Sequence, residues 1–297
     1  MKRLLVFLIL WLPVYAHAAL NIFACEPEWA ALAKEIGGDD VRIYAATTAL
    51  QDPHRIEARP SLIAQMRRAN LVVCTGAELE AGWLPVLLQN ANNAAVQPGR
   101  PGYFEAARFV PLLEKPARLD RADGDVHAAG NPHLHTDPRN ILRVAETLAA
   151  RLAEVDPGNA AAHRARGQAF AVRWQAAIAR WEARAASLRN LPVAVQHKSF
   201  SYLLAWLGMT EVAVLEPRPG VEPSVGHLAR VAARLQTTPA KMVLRAAYQS
   251  PRPADWLAKR AGIPALELPY SVGGNDRAQD LFGLFDDTLD QLLEAAP

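Results

Sequence analysis

One stretch of this chain restricts its folding choices more than any other. From Ala160 to Leu188 the pattern is helical for nearly thirty residues without a break. At about 1.5 Å per residue, such a helix must cross a whole domain or join two of them. On both sides of it, short apolar runs alternate with amphipathic ones. Before it, NIFAC, VRIYAAT and LVVC read as strands, while EPEWAALAKEIGG and SLIAQMRRAN (with Ser61 as cap) read as helices. After it, LPVAVQH, EVAVLEP, KMVLRAAY and IPALELPY read as strands. SFSYLLAWLG, PSVGHLARVAARLQ and SPRPADWLAKRAG are the helices between them, and LFGLFDDTLDQLLEA closes the chain. Such alternation specifies parallel sheets. The expected fold class is therefore α/β: two βα-type lobes with parallel sheets, joined by one long helix. The lobes fall at residues 19–157 and 190–297, with the linking helix at 158–189. Residues 90 to 136 carry less pattern, with one strand expected around Ala107 to Pro111. TDPRNILRVAETLAARLAEV then restarts helix, with Thr136 or Asp137 as its cap.

The first residues, MKRLLVFLILWLPVYAHAA, combine a charged start, an apolar run too short to span a bilayer comfortably, and a small-x-small site. A signal peptide over 1–18, cut after Ala18, is expected, which exports the chain to the periplasm. Phe23 spoils a lipobox before Cys25, so no lipid anchor is expected. With 32 basic against 30 acidic residues and a net charge of +2, there is no electrostatic case for nucleic acid or an anionic membrane surface. Cys25 and Cys74 both end apolar strands. A disulfide between them and a pair of buried thiols are equally compatible with that placement.

Chemistry rests with the histidines. Of the eight, His17 leaves with the signal, and His163 and His227 sit in helical patterns as expected surface residues. His54 follows the second strand, in DPHRIEARPS. His133 stands before a helix start, in NPHLHTDP, and His197 ends the strand LPVAVQH. Ligand sites in open parallel sheets form beyond the carboxyl ends of strands. Three imidazoles delivered there from both lobes would make a metal site in the crevice, and with a carboxylate they would fill a tetrahedral zinc shell.

Several ordered motifs resemble the zinc/manganese solute-binding proteins of ABC importers (cluster A-I type), from residue 20 to the C-terminus. DPHRIEARPS is similar to that family's DPH-x-x-E-x-x-P-S, and RRANLVVCTGAELEAGWLPVLL to its strand and G-x-x-L-E-x-W segment. NPHLHTDPRN is similar to DPH-x-W-x-DP-x-N, and VQHKSFSYLLAWLGM and PGVEPSVGHLARV to its third-ligand and E-P-S segments. The resemblance implies a rigid linking helix, a metal site in the inter-lobe cleft and His54, His133 and His197 as ligands. Zinc comes ahead of manganese, because manganese-binding relatives place a carboxylate where His197 stands. It also implies a monomeric, non-catalytic carrier of Zn²⁺. Its partners would be an ABC permease and the ATPase subunit of that permease, with room for a zinc metallochaperone.

The chain departs from the family in places. The fourth-ligand Asp is replaced by Pro269 in LELPYSVGGND, so Asp276 is the expected substitute, with Glu267 or water as alternatives. Asn131 stands for the usual Asp of the second motif, and His135 for its aromatic, where it could compete as ligand. His127, in GDVHAAG, lies where zinc-binding relatives carry a long His-rich loop and could gather metal. Glu57 and Arg59 either orient the His54 loop or are simply solvated. Two other functions fit less well. A secreted zinc hydrolase would need a general base beside the ligands, and a binder of chelated metal or a small organic ligand would leave the histidines unexplained.

Overall fold

A computed structural model describes residues 19–116 and 127–297; the expected signal peptide lies outside the described residues. Strand β1 (Leu20–Ala24) has β2 (Val41–Ala45) on one side and β3 (Leu71–Cys74) on the other, with β4 (Tyr103–Glu105) beyond β3. The second sheet repeats that plan. There β5 (Pro192–Val195) lies between β6 (Thr210–Val214) and β7 (Val243–Ala246), and β8 (Ala265–Leu268) is outermost. All pairings are parallel. In each sheet the chain steps to one side of its first strand and then returns to the other. That reversal opens a crevice at the strands' carboxyl ends.

The helices are α1 (Pro27–Gly37), α2 (Pro60–Arg68), α3 (Leu84–Ala91), α4 (Pro138–Val155), α5 (Ala160–Arg184), α6 (Ser201–Leu207), α7 (Val225–Thr237), α8 (Arg252–Ala261) and α9 (Leu281–Ala295). α2 and α3 cover one face of the first sheet with Leu62, Met66 and Leu87. α7 and α8 do the same for the second sheet with Val231, Leu235 and Leu257. The inner faces of both sheets share one continuous apolar core with α1, α4, α5, α6 and α9.

Helix α5 is the spine of that core. Its buried residues, among them His163, Gly167, Phe170, Trp174, Ile178 and Trp181, recur at the three- and four-residue spacing of one helix face. A Cβ on Gly167 would stand 2.6 Å from that of Ala149, so glycine is what lets α5 close on α4. Toward the second lobe, Trp174 meets Phe282 at 4.8 Å and Trp181 meets Phe285 at 5.1 Å between ring centroids.

Four local expectations need correction. The last residues of the long helical run, Ala185–Leu188, tighten into a 3-10 turn. Helix α2 begins at Pro60, whose fixed φ presets the first turn, and Ser61 sits inside that turn without capping it. The strand expected at 107–111 forms earlier, as β4, followed by a 3-10 turn over Ala106–Phe109. Gly102 explains the shift: a Cβ there would lie 2.4 Å from the Ala95 carbonyl oxygen, so glycine admits the chain beside β3. His163 is buried, not solvated. Its Nε2 lies 2.9 Å from Asp156 Oδ2, and Arg166 donates to its Nδ1 at 3.1 Å. The cysteines are joined: Cys25 and Cys74 form a disulfide just beyond β1 and at the end of β3, with Cα atoms 4.8 Å apart.

Candidate metal centre

His54 is held by its own neighbours. Asp52 Oδ1 accepts the His54 backbone N–H at 3.1 Å and lies 2.7 Å from His54 Nδ1, an Asx turn that fixes loop and ring together. Trp83 Nε1 donates to the Pro53 carbonyl at 2.9 Å. Burial alone would raise the Asp52 carboxyl, but the hydrogen bond and charge of His54 outweigh it and keep the group below its usual range.

His133 begins with the same device and finishes differently. Asn131 Oδ1 accepts the His133 N–H at 2.9 Å. The Asn131 amide then donates to Glu114 Oε2 at 2.9 Å and to the Lys198 carbonyl at 2.8 Å, bolting this loop to the second lobe. His133 Nδ1 is met by the Tyr270 hydroxyl at 2.7 Å. Burial, then the imidazoles of His197, His54, His135 and His127 around it, push His133 well below the ordinary imidazole range, so it stays neutral. Burial also raises the Tyr270 phenol well above 10, so that hydroxyl keeps its proton.

His197 follows β5 and is oriented by Glu216, which follows β6. Val195 pairs with Val214 in the parallel register, so the residues two further on face each other. His197 Nδ1 and Glu216 Oε2 are 2.7 Å apart.

The outcome is convergence. Donor atoms of His54, His133 and His197 all lie within 4.8 Å of one another, and His133 Nε2 is 3.2 Å from His197 Nε2. Each Nδ1 is engaged by a carboxylate or a phenol. Partners of that kind fix the tautomer and aim the other ring nitrogen at a metal. Asp52 and Glu216 also supply two negative charges beside a position suited to a dication. A recess of about 160 Å³, lined by His127, Asn131, His133, His197 and Lys198, opens onto the cluster.

The remaining expected residues lie elsewhere or do other work. Asp276 is exposed and is not among the gathered donors. Asn275 folds its loop onto α9, accepting from Arg277 N and Ala278 N at 3.0 and 2.9 Å and donating to Asp287 at 2.7 Å. Glu267 is exposed and pairs with Arg245. His135 is buried facing another way, with Nδ1 3.2 Å from Glu28 Oε1 and Nε2 donating to the Tyr270 carbonyl at 2.8 Å. Glu57 and Arg59 are exposed. Sequence reasoning assigned no role to Asp52, Glu216 or Tyr270. Asp52 had a signal in its place two residues before His54, as Glu216 had in its place after an adjacent strand.

The family described as "ZnuA: Zinc-uptake complex component A periplasmic" matches residues 22–295. The chain belongs to this family. Its members are solute-binding components and not enzymes. The high-affinity zinc uptake system protein ZnuA of Bacillus subtilis (strain 168) is 22% identical over 268 residues, covering 89% of this chain and 81% of that one. The manganese ABC transporter substrate-binding lipoprotein scaA of Streptococcus gordonii is 26% identical over 158 residues. That match covers 52% of this chain and 48% of the relative, so the chain spans about half the length of such curated relatives. Among solved structures, a crystal structure of ZnuA superposes with a TM-score of 0.78 at 22% identity, covering 94% of this chain and 100% of that one. The two-lobe fold is thus the family's.

Proposed function

We propose that this protein is an extracytoplasmic solute-binding protein that captures Zn²⁺ between its lobes and delivers it to an ABC-type importer. The carrying observation is that His54, His133 and His197 turn Nε2 inward while every Nδ1 is occupied. Such a cluster is assembled for a cation and has no nucleophile or base in a catalytic arrangement. Two of the ligands follow strands of different lobes, so metal binding would hold the rims together. The relatives named above include a zinc and a manganese protein; the donor set favours zinc. Imidazole nitrogen suits zinc, whereas manganese favours carboxylate and water oxygen, and the carboxylates here bind the rings instead. The partners on this reading are a permease and its ATPase subunit, which would supply the energy. Protons compete for imidazole nitrogen, so capture should weaken in acid.

Equilibrium dialysis against zinc and manganese, alone and together, tests this reading. One zinc per chain, not displaced by excess manganese, is expected. Preferential manganese binding would reassign the cargo, and binding of neither would overturn the reading.

A further inference from the structure

Three imidazoles leave one corner of a tetrahedral zinc shell to be filled, and the chain's own geometry indicates what fills it. His127 Nε2 stands 3.2 Å from His54 Nε2, with ring centroids 5.2 Å apart. His133 Nε2 and His197 Nε2 are likewise 3.2 Å apart. Zinc–imidazole bonds of 2.0–2.1 Å place any two tetrahedral ligands about 3.3 Å from each other. Both pairs already sit at that edge length. They share no member, and His127 stands outside the three donors that lie within 4.8 Å of one another, so it reaches the cluster through its contact with His54.

The alternatives for that corner are otherwise employed. Asp276 is exposed on a loop tied to α9. Asp52 and Glu216, the carboxylates nearest the rings, each hold an Nδ1. His127 lines the same recess as His133 and His197. Its backbone is fixed on the C-terminal side: Ala128 N donates to Glu78, Gly130 N to the His127 carbonyl at 3.1 Å, and Asn131 N to the Leu113 carbonyl at 2.8 Å. A tight turn therefore carries His127 within a few residues of His133.

The geometry points to His127 as the fourth zinc ligand, giving a shell of four imidazoles in place of three imidazoles and a carboxylate. This rests on the proposed zinc-binding function and specifies its chemistry. Four neutral nitrogens disfavour manganese more strongly than a mixed nitrogen–oxygen shell does. Adding the last ligand requires the His127 ring to close on His133 and His197, whose recess it already lines.

X-ray absorption at the zinc edge counts the imidazoles directly, and chelator competition measures their worth. The zinc-loaded protein should show four imidazole nitrogens, and His127→Ala three with one oxygen. Zinc affinity in His127→Ala and His127→Gln should fall at least about tenfold, since a direct ligand is worth no less than an outer partner. The preference for zinc over manganese should narrow with it. Three imidazoles in the unsubstituted protein, or unchanged affinity in both variants, would refute the fourth ligand; so would a loss of affinity in Asp276→Ala equal to that in His127→Ala. His54→Ala separates the two levels. If it abolishes binding while the His127 variants are silent, only the fourth ligand is lost; if it too is silent, the three-histidine site falls as well.

Discussion

His197 Nδ1 lies 2.7 Å from Glu216 Oε2, and that same oxygen accepts the backbone N–H of Gly220 at 2.8 Å. One carboxylate thus orients a ring and fixes a turn. The turn's Gly220 carbonyl in turn accepts from Arg55, beside His54, at 2.9 Å. Ring orientation and the approach of the two rims are coupled through Glu216. Glu216→Gln keeps an acceptor but loses the charge, and should weaken zinc binding about tenfold; Glu216→Ala should approach hundredfold. Competition with a chelator of known affinity gives the values, and identical affinities across all three proteins would contradict this role.

Tyr270 takes the place at His133 that Asp52 holds at His54. Tyr270→Phe removes only the hydroxyl, leaving the ring packed on His135 at 4.8 Å and on Tyr248 at 5.0 Å. Zinc affinity should drop about tenfold while thermal stability of the metal-free protein changes by on the order of 1 kcal/mol. A variant that unfolds readily yet binds zinc as tightly as before would show Tyr270 to be structural alone.

His135 and His133 should separate cleanly despite lying two residues apart. His135→Ala leaves a cavity beside the buried Glu28, whose Oε2 keeps the Ser271 hydroxyl, a loss on the order of 2–4 kcal/mol. It should still bind one zinc. His133→Ala should do the reverse, with binding lost and folding retained. Calorimetric melting and zinc titration on both variants check the pair, and the same outcome in both would merge the two roles.

Stability should also depend on pH through a buried pair behind the disulfide. Burial pushes the Glu80 carboxyl up to about 7. Glu26 beside it is raised well above its usual value, by burial first and then by the charges of Glu80 and Glu28. The unfolded chain releases these protons near pH 4.5, so between about 4.5 and 7 the folded chain holds more of them. The Glu80 contribution is then greatest in acid, declines as pH rises from about 4.5 to about 7 and levels off above that. Glu80→Gln is neutral throughout and keeps an oxygen for the Thr75 and Gly76 N–H groups. It should gain on the order of 1–3 kcal/mol relative to the unsubstituted protein at pH 8, and little at pH 5. The depressed His133 works in the opposite sense in acid but cancels in the comparison. Denaturant midpoints at the two pH values decide it, and a gap that stays constant between them would rule the mechanism out.

The alternating apolar runs and the long helix made the architecture legible, because a strand buried on both faces, such as LVVC, has few other fates. The gathering of His54, His133 and His197 was legible through their motifs and strand-end positions. What escaped was pairing at a distance. Tyr270 lies 137 residues from His133, and no local pattern marks a phenol as an imidazole's partner. Asp276 was assigned by its proximity to the family's usual position, yet one amide, Asn275, folds the loop onto α9. His163 looked polar and solvated because its partners, Asp156 and Arg166, gave its surroundings a charged appearance. In the folded chain those same charges surround and bury it.

The apolar core that passes through α5 without interruption makes the two lobes a single melting unit. Cutting the chain within Ala160–Arg184 would turn the stripe of Phe170, Trp174 and Trp181 toward water on at least one fragment. Neither half is then a spare part that could be exchanged, inherited or expressed alone. On the proposed function, release of the metal would fall to the loops at the rim, above a core that both lobes share.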